Sequence, residues 1–176
     1  MQLGTPEAKQ VKQMKQKRIA LVAHDSKKQN LLEWARLNKD FLAQHKVYAT
    51  RTTGKLLERE LQIGIIKLES GPLGGVQQIG AKIVDGDIDF LVFFGDFFTS
   101  LPYDPDASAL LRIAVVWNIP VALNRISADC MFSSPLISGE LQAPHADSEK
   151  YGAEHNLKPM AYLGSTSRQP EERGFE

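Results

Sequence analysis

Short apolar runs recur along this chain, and each is followed by groups able to hold an anion or move a proton. Ile19-Ala20-Leu21-Val22-Ala23 leads into His24-Asp25-Ser26-Lys27-Lys28. A His-Asp pair can orient a substrate or transfer a proton. Lys28 falls in the first turn of the next helical segment, where a cation and unpaired backbone N–H groups can meet an anion. An Asp25 helix cap with solvated lysines is the plainer alternative. The second run ends in Thr50-Arg51-Thr52-Thr53-Gly54, whose hydroxyls, N–H groups and glycine suit either a phosphate cradle or an ordinary capping loop. The third ends in Ser70-Gly71-Pro72-Leu73-Gly74-Gly75, where the glycines let backbone approach a ligand closely or make a tight turn. The Gly-Lys-Ser/Thr ending of a Walker loop is missing, and the dinucleotide fingerprint is not there either. The fourth ends in Gly95-Asp96-Phe97-Phe98, with Tyr103-Asp104-Pro105-Asp106 beyond it. Asp96 directly after an apolar run is costly to bury unpaired, which points to function. Asp106, in the first turn of a helix, suits the helix dipole as well as a site. Asn124, after the last run, suits a ligand contact or a helix cap.

The elements that must position these groups alternate regularly. Continuous apolar runs predict strands buried on both faces at residues 19–23, 46–49, 65–68, 90–94 and 121–123. Helical spacing predicts helices over residues 27–42, 54–61 and 77–84, and a further one opened by Asp104-Pro105 that turns Leu110, Leu111, Ile113, Ala114 and Trp117 inward. The run at 90–94 is the most hydrophobic and is expected at the centre of the sheet. This order predicts a single α/β domain, a parallel five-stranded sheet covered by helices on both faces. In such sheets ligands bind beyond the carboxyl ends of the strands, where the polar segments lie. The domain is expected over residues 18–137, between a polar, lysine-rich extension at 1–17 and a polar extension rich in Gly, Pro and Ser at 138–176.

Composition narrows the partners. Lysine plus arginine (21) equals aspartate plus glutamate (21), so the electrostatic case for nucleic acid or a membrane surface is absent. No apolar run approaches the roughly 20 residues that span a bilayer, and a cytoplasmic location is expected. His24, His45, His145 and His155 lack metal-ligand spacing, so neither a metal nor a cofactor is expected. Cys130, the sole cysteine, reads as a buried small hydrophobe.

In order and spacing the motifs resemble those of the methylglyoxal synthase family. The matching stretches are Ile19 to Asp25, Tyr48-Ala49-Thr50 with Thr52-Thr53-Gly54, Ser70 to Gly75 with Gln77-Gln78, Phe93-Phe94 with Asp96, Pro102 with Asp104-Pro105-Asp106, and Val116 to Ala122. They cover residues 18–132, roughly two-thirds of the chain. The resemblance implies a compact α/β domain of the kind also used as an allosteric module in carbamoyl phosphate synthetase, homohexamers, and conversion of dihydroxyacetone phosphate to methylglyoxal and inorganic phosphate. It implies that Lys28, Thr50, Thr52, Thr53, Ser70 and Gly71 hold the phosphate, and that His24, Asp25, Asp96 and Asp106 line the reacting end.

The chain also departs from the family pattern. Val76 stands where the family has its catalytic aspartate, Tyr103 where it has a histidine, and Arg51 where it has a glycine. Gly95-Asp96-Phe97 replaces a tryptophan-aspartate-proline motif. Valine accepts no proton, and tyrosine is a poor cation near neutral pH. Arg51 would either grip phosphate or fill the pocket. Three readings follow. One is a catalytically impaired or inactive homologue that binds a small phosphate ester or phosphate and acts in regulation, with a protein partner engaged through its tails. Another is an active lyase with a substitute carboxylate base. The third is a structural protein whose pocket is filled by Arg51, Phe97 and Phe98.

Overall fold

The fold is described from a computed structural model, for residues 16–96 and 105–138. Strand β1 (Arg18–Ala23) leads through a 3-10 turn (Asp25–Lys27) into α1 (Lys28–Leu37) and α2 (Lys39–Leu42). Then come β2 (Lys46–Ala49), α3 (Arg51–Leu61), β3 (Ile65–Lys67), a 3-10 turn (Gly71–Leu73) and α4 (Gly75–Val84). After β4 (Phe90–Phe94), the described chain resumes with α5 (Pro105–Val116), β5 (Val121–Ala122), α6 (Arg125–Ser133) and a 3-10 turn (Pro135–Ser138).

All strand pairs are parallel, in the order β3-β2-β1-β4-β5. The middle strand is β1; β4, expected at the centre, is its neighbour on the β5 side. Apolar side chains leave both faces of each inner strand. Ile19, Leu21, Phe90, Val92 and Phe94 pack with Leu31, Trp34, Leu57 and Ala128 of α1, α3 and α6. The alternate residues Ala20, Val22, Leu91 and Phe93 pack with Ile79, Ile83, Leu110 and Ala114 of α4 and α5. The sheet thus lies between two layers of helix, and its two central strands β1 and β4 carry no polar face. Among the described residues, no helix is long and apolar enough to cross a membrane.

Boundaries differ from the sequence reading for local reasons. The segment expected as one helix over 27–42 begins as a 3-10 turn and breaks at Asn38. There the Asn38 side-chain amide donates to the Trp34 carbonyl at 2.9 Å, in competition with the backbone ladder. Helix α3 starts at Arg51 rather than Gly54, because extended Thr50 (φ −62°, ψ 151°) already turns the chain into it. Helix α4 likewise starts at Gly75, ahead of Gln77. In the helix opened at Pro105, Leu110 and Ala114 are buried as expected, while Leu111, Ile113 and Trp117 are half-buried against the same core. Cys130 is exposed, contrary to expectation. In α6 it is Ala128 that faces the core, and Cys130 lies about 200° around the helix from it.

Opposite the strand ends that precede the polar segments, two polar anchors fix the sheet. The Asp89 carboxylate accepts from the Arg18 backbone N–H at 2.8 Å, from Nε at 3.1 Å and from the guanidinium terminus at 2.7 Å. Burial raises the Asp89 pKa, but the bonds from Arg18 outweigh it and hold the carboxyl below its usual range. His45 is buried; its Nδ1 accepts the Lys17 N–H at 3.3 Å, and its Nε2 has no hydrogen-bond partner among the described residues. Burial, helped by the Lys17 charge, pushes the imidazole below its ordinary range. The unfolded chain therefore takes up a proton near an ordinary histidine pKa of about 6.5, where the folded chain does not. The stability His45 provides is complete above that value and is lost as pH falls below it. The unfolding midpoint is expected to drop between pH 7.5 and 5.5, and less steeply in His45→Gln, whose amide oxygen can still accept the Lys17 N–H. Equal slopes in thermal scans of the two proteins would contradict this. Asp89→Asn should lose about 1.5–3 kcal/mol at pH 7 in urea unfolding.

Candidate functional site

The topology turns over between β1 and β4. The chain runs outward from β1 to β3 on one side, then crosses to β4 and β5 on the other. At that switch point, beyond the carboxyl ends of β1, β2 and β4, lies a cavity of about 450 Å³. Its polar wall is made by His24, Asp25, Lys28, Thr50, Thr52 and Asp106, with Gly71 supplying backbone. Its apolar wall is made by Val22, Ala23, Pro72, Val76, Phe93 and Ala107.

Lys28 is the pivot of the polar wall. From the first turn of α1 its ammonium reaches the Asp25 carboxylate at 2.6 Å and the Thr52 hydroxyl at 2.9 Å. This contact ties the end of β1 to the start of α3. Asp25 opens the 3-10 turn, and its carboxylate turns to the Lys28 ammonium three residues on. Thr50, buried at the end of β2, donates to the Thr53 hydroxyl at 3.3 Å. Thr53 is therefore held behind the wall, and does not line the cavity.

The β1–β4 register pairs Ala23 with Phe94, so the residues that follow both strands stand side by side. The His24 N–H donates to the Phe94 carbonyl at 3.1 Å, and the Asp96 N–H donates to His24 Nδ1 at 2.9 Å. An acceptor at Nδ1 places the imidazole proton on Nε2. The ring edge also packs on Phe93, with centroids 5.1 Å apart. Asp96 is buried beside the cavity and accepts from the Ser26 hydroxyl at 2.6 Å. Asp106, from the first turn of α5, reaches the opposite wall, where Gln77 donates to it at 2.8 Å.

Val76 is placed by the paired glycines. Gly74 turns the chain with φ 95°, a conformation that disfavours side chains. Gly75 passes so close to the Glu69 carbonyl oxygen that an added Cβ would lie 1.9 Å from it. The first turn of α4 then starts with Val76 over the cavity, its side chain joined to the core of that face. Ser70 does not line the cavity; its carbonyl accepts the Leu73 and Gly75 N–H groups at 3.0 and 2.9 Å and so closes this loop.

Arg51 neither fills the cavity nor lines it. It turns outward and pairs with Glu69 at 2.7 Å. Asn124 resolves as a helix cap, accepting the Ser127 N–H at 2.9 Å. Tyr103, Asp104, Phe97 and Phe98 lie outside the described residues, as do His145 and His155 and both extensions up to residue 15 and from 139. The sequence reading missed Ser26, Glu69 and the tie from Gln77 to Asp106. Polar residues directly beside motif residues were the available signal for the first two; the third needs two helices brought together by folding. Among the described residues, no three His, Cys, Asp or Glu side chains are grouped to hold a metal ion.

Comparisons with known proteins agree with this architecture. The model of the MGS-like domain matches residues 30–123. A methylglyoxal synthase of Cellvibrio japonicus (strain Ueda107) is 56% identical over 137 residues, covering 78% of this chain and 89% of the relative. One from Saccharophagus degradans is 54% identical over 142 residues, covering 81% and 92%. The crystal structure of methylglyoxal synthase from Elizabethkingia anophelis NUHP1 superposes with a TM-score of 0.67 at 44% identity, over 70% of this chain and 81% of that one.

Replacing Gly75 by alanine should destabilise the chain by more than about 3 kcal/mol, because backbone on both sides must move. Urea unfolding measures this, and a midpoint like the native one would show that the loop yields. Nitrogen-resolved NMR of the imidazole should find His24 as the Nε2–H form; the Nδ1–H form would contradict the Asp96 contact.

Proposed function

The chain belongs to the methylglyoxal synthase family, and from that premise we propose that it binds the phosphate group of a small metabolite of the dihydroxyacetone phosphate class but is impaired in eliminating it. The observation that carries this reading is Val76 on the wall of a cavity also lined by Lys28, Thr50, Thr52 and Gly71. The family reaction removes a proton next to the substrate carbonyl, stabilises the resulting enediolate oxygen, and breaks the carbon–oxygen bond so that inorganic phosphate departs. The phosphate end asks for a cation, hydroxyls and backbone N–H groups, and these residues supply them. The proton-transfer end asks for a base at the position where the family has aspartate. A valine side chain offers none, and loss of a general base typically costs about 10²–10⁴ in rate.

His24 fits a ligand oxygen rather than the missing base, because its Nε2–H donates. Asp25 is engaged by Lys28, which leaves it better suited to holding the cation than to taking a proton. A retained activity is the second reading, favoured by Asp106, a carboxylate on the same cavity. In that reading Asp106 is the base, oriented by Gln77.

Calorimetric titration with dihydroxyacetone phosphate, followed by an assay of the mixture for methylglyoxal, tests both. Binding without product is expected. Val76→Asp should then raise turnover by about 10²-fold or more. Its carboxylate would lie in the first turn of α4, where the helix dipole favours it. Native turnover that disappears in Asp106→Asn would favour the second reading. Absence of binding would remove the phosphate reading altogether.

A further inference from the structure

Building on that phosphate reading, we propose that Glu69 is an internal anion that competes with a ligand's phosphate group for Arg51 and for the Ser70 N–H, both in segments that border the cavity. Its carboxylate is shared between those two donors. One oxygen accepts from the Arg51 guanidinium at 2.7 Å, and the other accepts from the Ser70 N–H at 3.2 Å. Both donors belong to segments that line the cavity. Arg51 lies between Thr50 and Thr52, and Ser70 precedes Gly71.

The Glu69 backbone is held on two sides, while its side chain remains free to rotate. The Glu69 carbonyl accepts the Arg51 N–H at 3.2 Å, and the Glu69 N–H donates to the Gln78 side chain at 2.7 Å. Glu69 therefore joins the start of α3, the glycine loop and α4 at one point.

Charge gives this arrangement its consequence. The described wall holds one cation, Lys28, against two carboxylates, Asp25 and Asp106. A phosphate dianion entering there meets a net negative wall and a lysine already paired at 2.6 Å. Arg51, like Lys27, is a further cation in a segment that lines the wall, and Glu69 engages it. The pair is half exposed, with side-chain accessibilities of 52% and 32%, so it is weak and can be exchanged. A guanidinium suits phosphate oxygens two at a time. Release of Arg51 toward the ligand supplies the missing charge, and the freed Glu69 carboxylate returns to water. Glu69 thus sets the affinity low and favours a dianion over a singly charged ligand.

Inorganic phosphate titrated calorimetrically into the full-length native protein, Glu69→Gln, Arg51→Gln and the double variant tests this. Glu69→Gln should bind phosphate about three- to tenfold more tightly. Arg51→Gln should bind more weakly than native, and the double variant should match Arg51→Gln, because the gain acts through the arginine. Glu69→Ala, which also frees the Ser70 N–H, should tighten binding at least as much and provides a second variant. Native binding without tightening in either Glu69 variant would overturn the inference alone, as would a gain that persists in the double variant. If neither phosphate nor dihydroxyacetone phosphate binds to the native protein or to the Glu69 variants, the inference falls together with the reading it rests on. Phosphate binding that appears only when Glu69 is replaced would support it.

Discussion

The parallel pairing of β1 with β4 sets the geometry of the cavity. Ala23 opposite Phe94 is a register fixed by apolar side chains on both faces of both strands, so a slip would cost burial in both helix layers at once. With that register in place, His24 and Asp96 follow their strands side by side, and the Asp96 N–H meets the imidazole without any dedicated scaffold. The topological switch at the same strand pair keeps the space beyond it clear of a crossover helix. Helices α1 and α3 then bring Lys28 and Thr52 together from the β2 side, and α4 and α5 bring Gln77 and Asp106 together from the other face. Site chemistry is thus attached to a core that has no freedom to move it.

Much of this is legible in the sequence because both-face burial writes itself as unbroken apolar runs. The run at 90–94 matches β4 residue for residue, and the polar segment after each strand marks the edge where the cavity lies. Side-chain direction is less legible. Thr52 and Thr53 are neighbours in sequence, yet a step of 100° around α3 sends one hydroxyl to Lys28 and the other behind the wall. The same rotation in α6 takes Cys130 to the surface while Ala128 reaches the core. Arg51 illustrates a further limit: it turns away from the cavity to pair with Glu69, a residue on another segment that becomes its partner only when the loop before α4 closes.

That loop closure is a backbone matter. Gly75 approaches the Glu69 carbonyl with no room for a Cβ, and the left-handed turn at Gly74 disfavours any side chain, so the loop's shape rests on these glycines. Val76 inherits a place built for a residue facing the cavity. The glycine loop and the start of α4 therefore set where residue 76 stands, and the side chain there faces the cavity by virtue of the backbone alone.

The substitution at position 76 also changes the electrostatics in a definite direction. A third carboxylate beside Asp25 and Asp106 would raise the negative charge of a wall with one lysine, a burden tolerable when that carboxylate moves a proton during each turnover. With valine there, the burden is gone and the side chain packs with the core instead. A valine there adds no negative charge to the wall. Glu69 works the opposite way, holding a nearby arginine outside the cavity. Anion affinity is then the balance between a charge removed from the wall and a cation withheld from it.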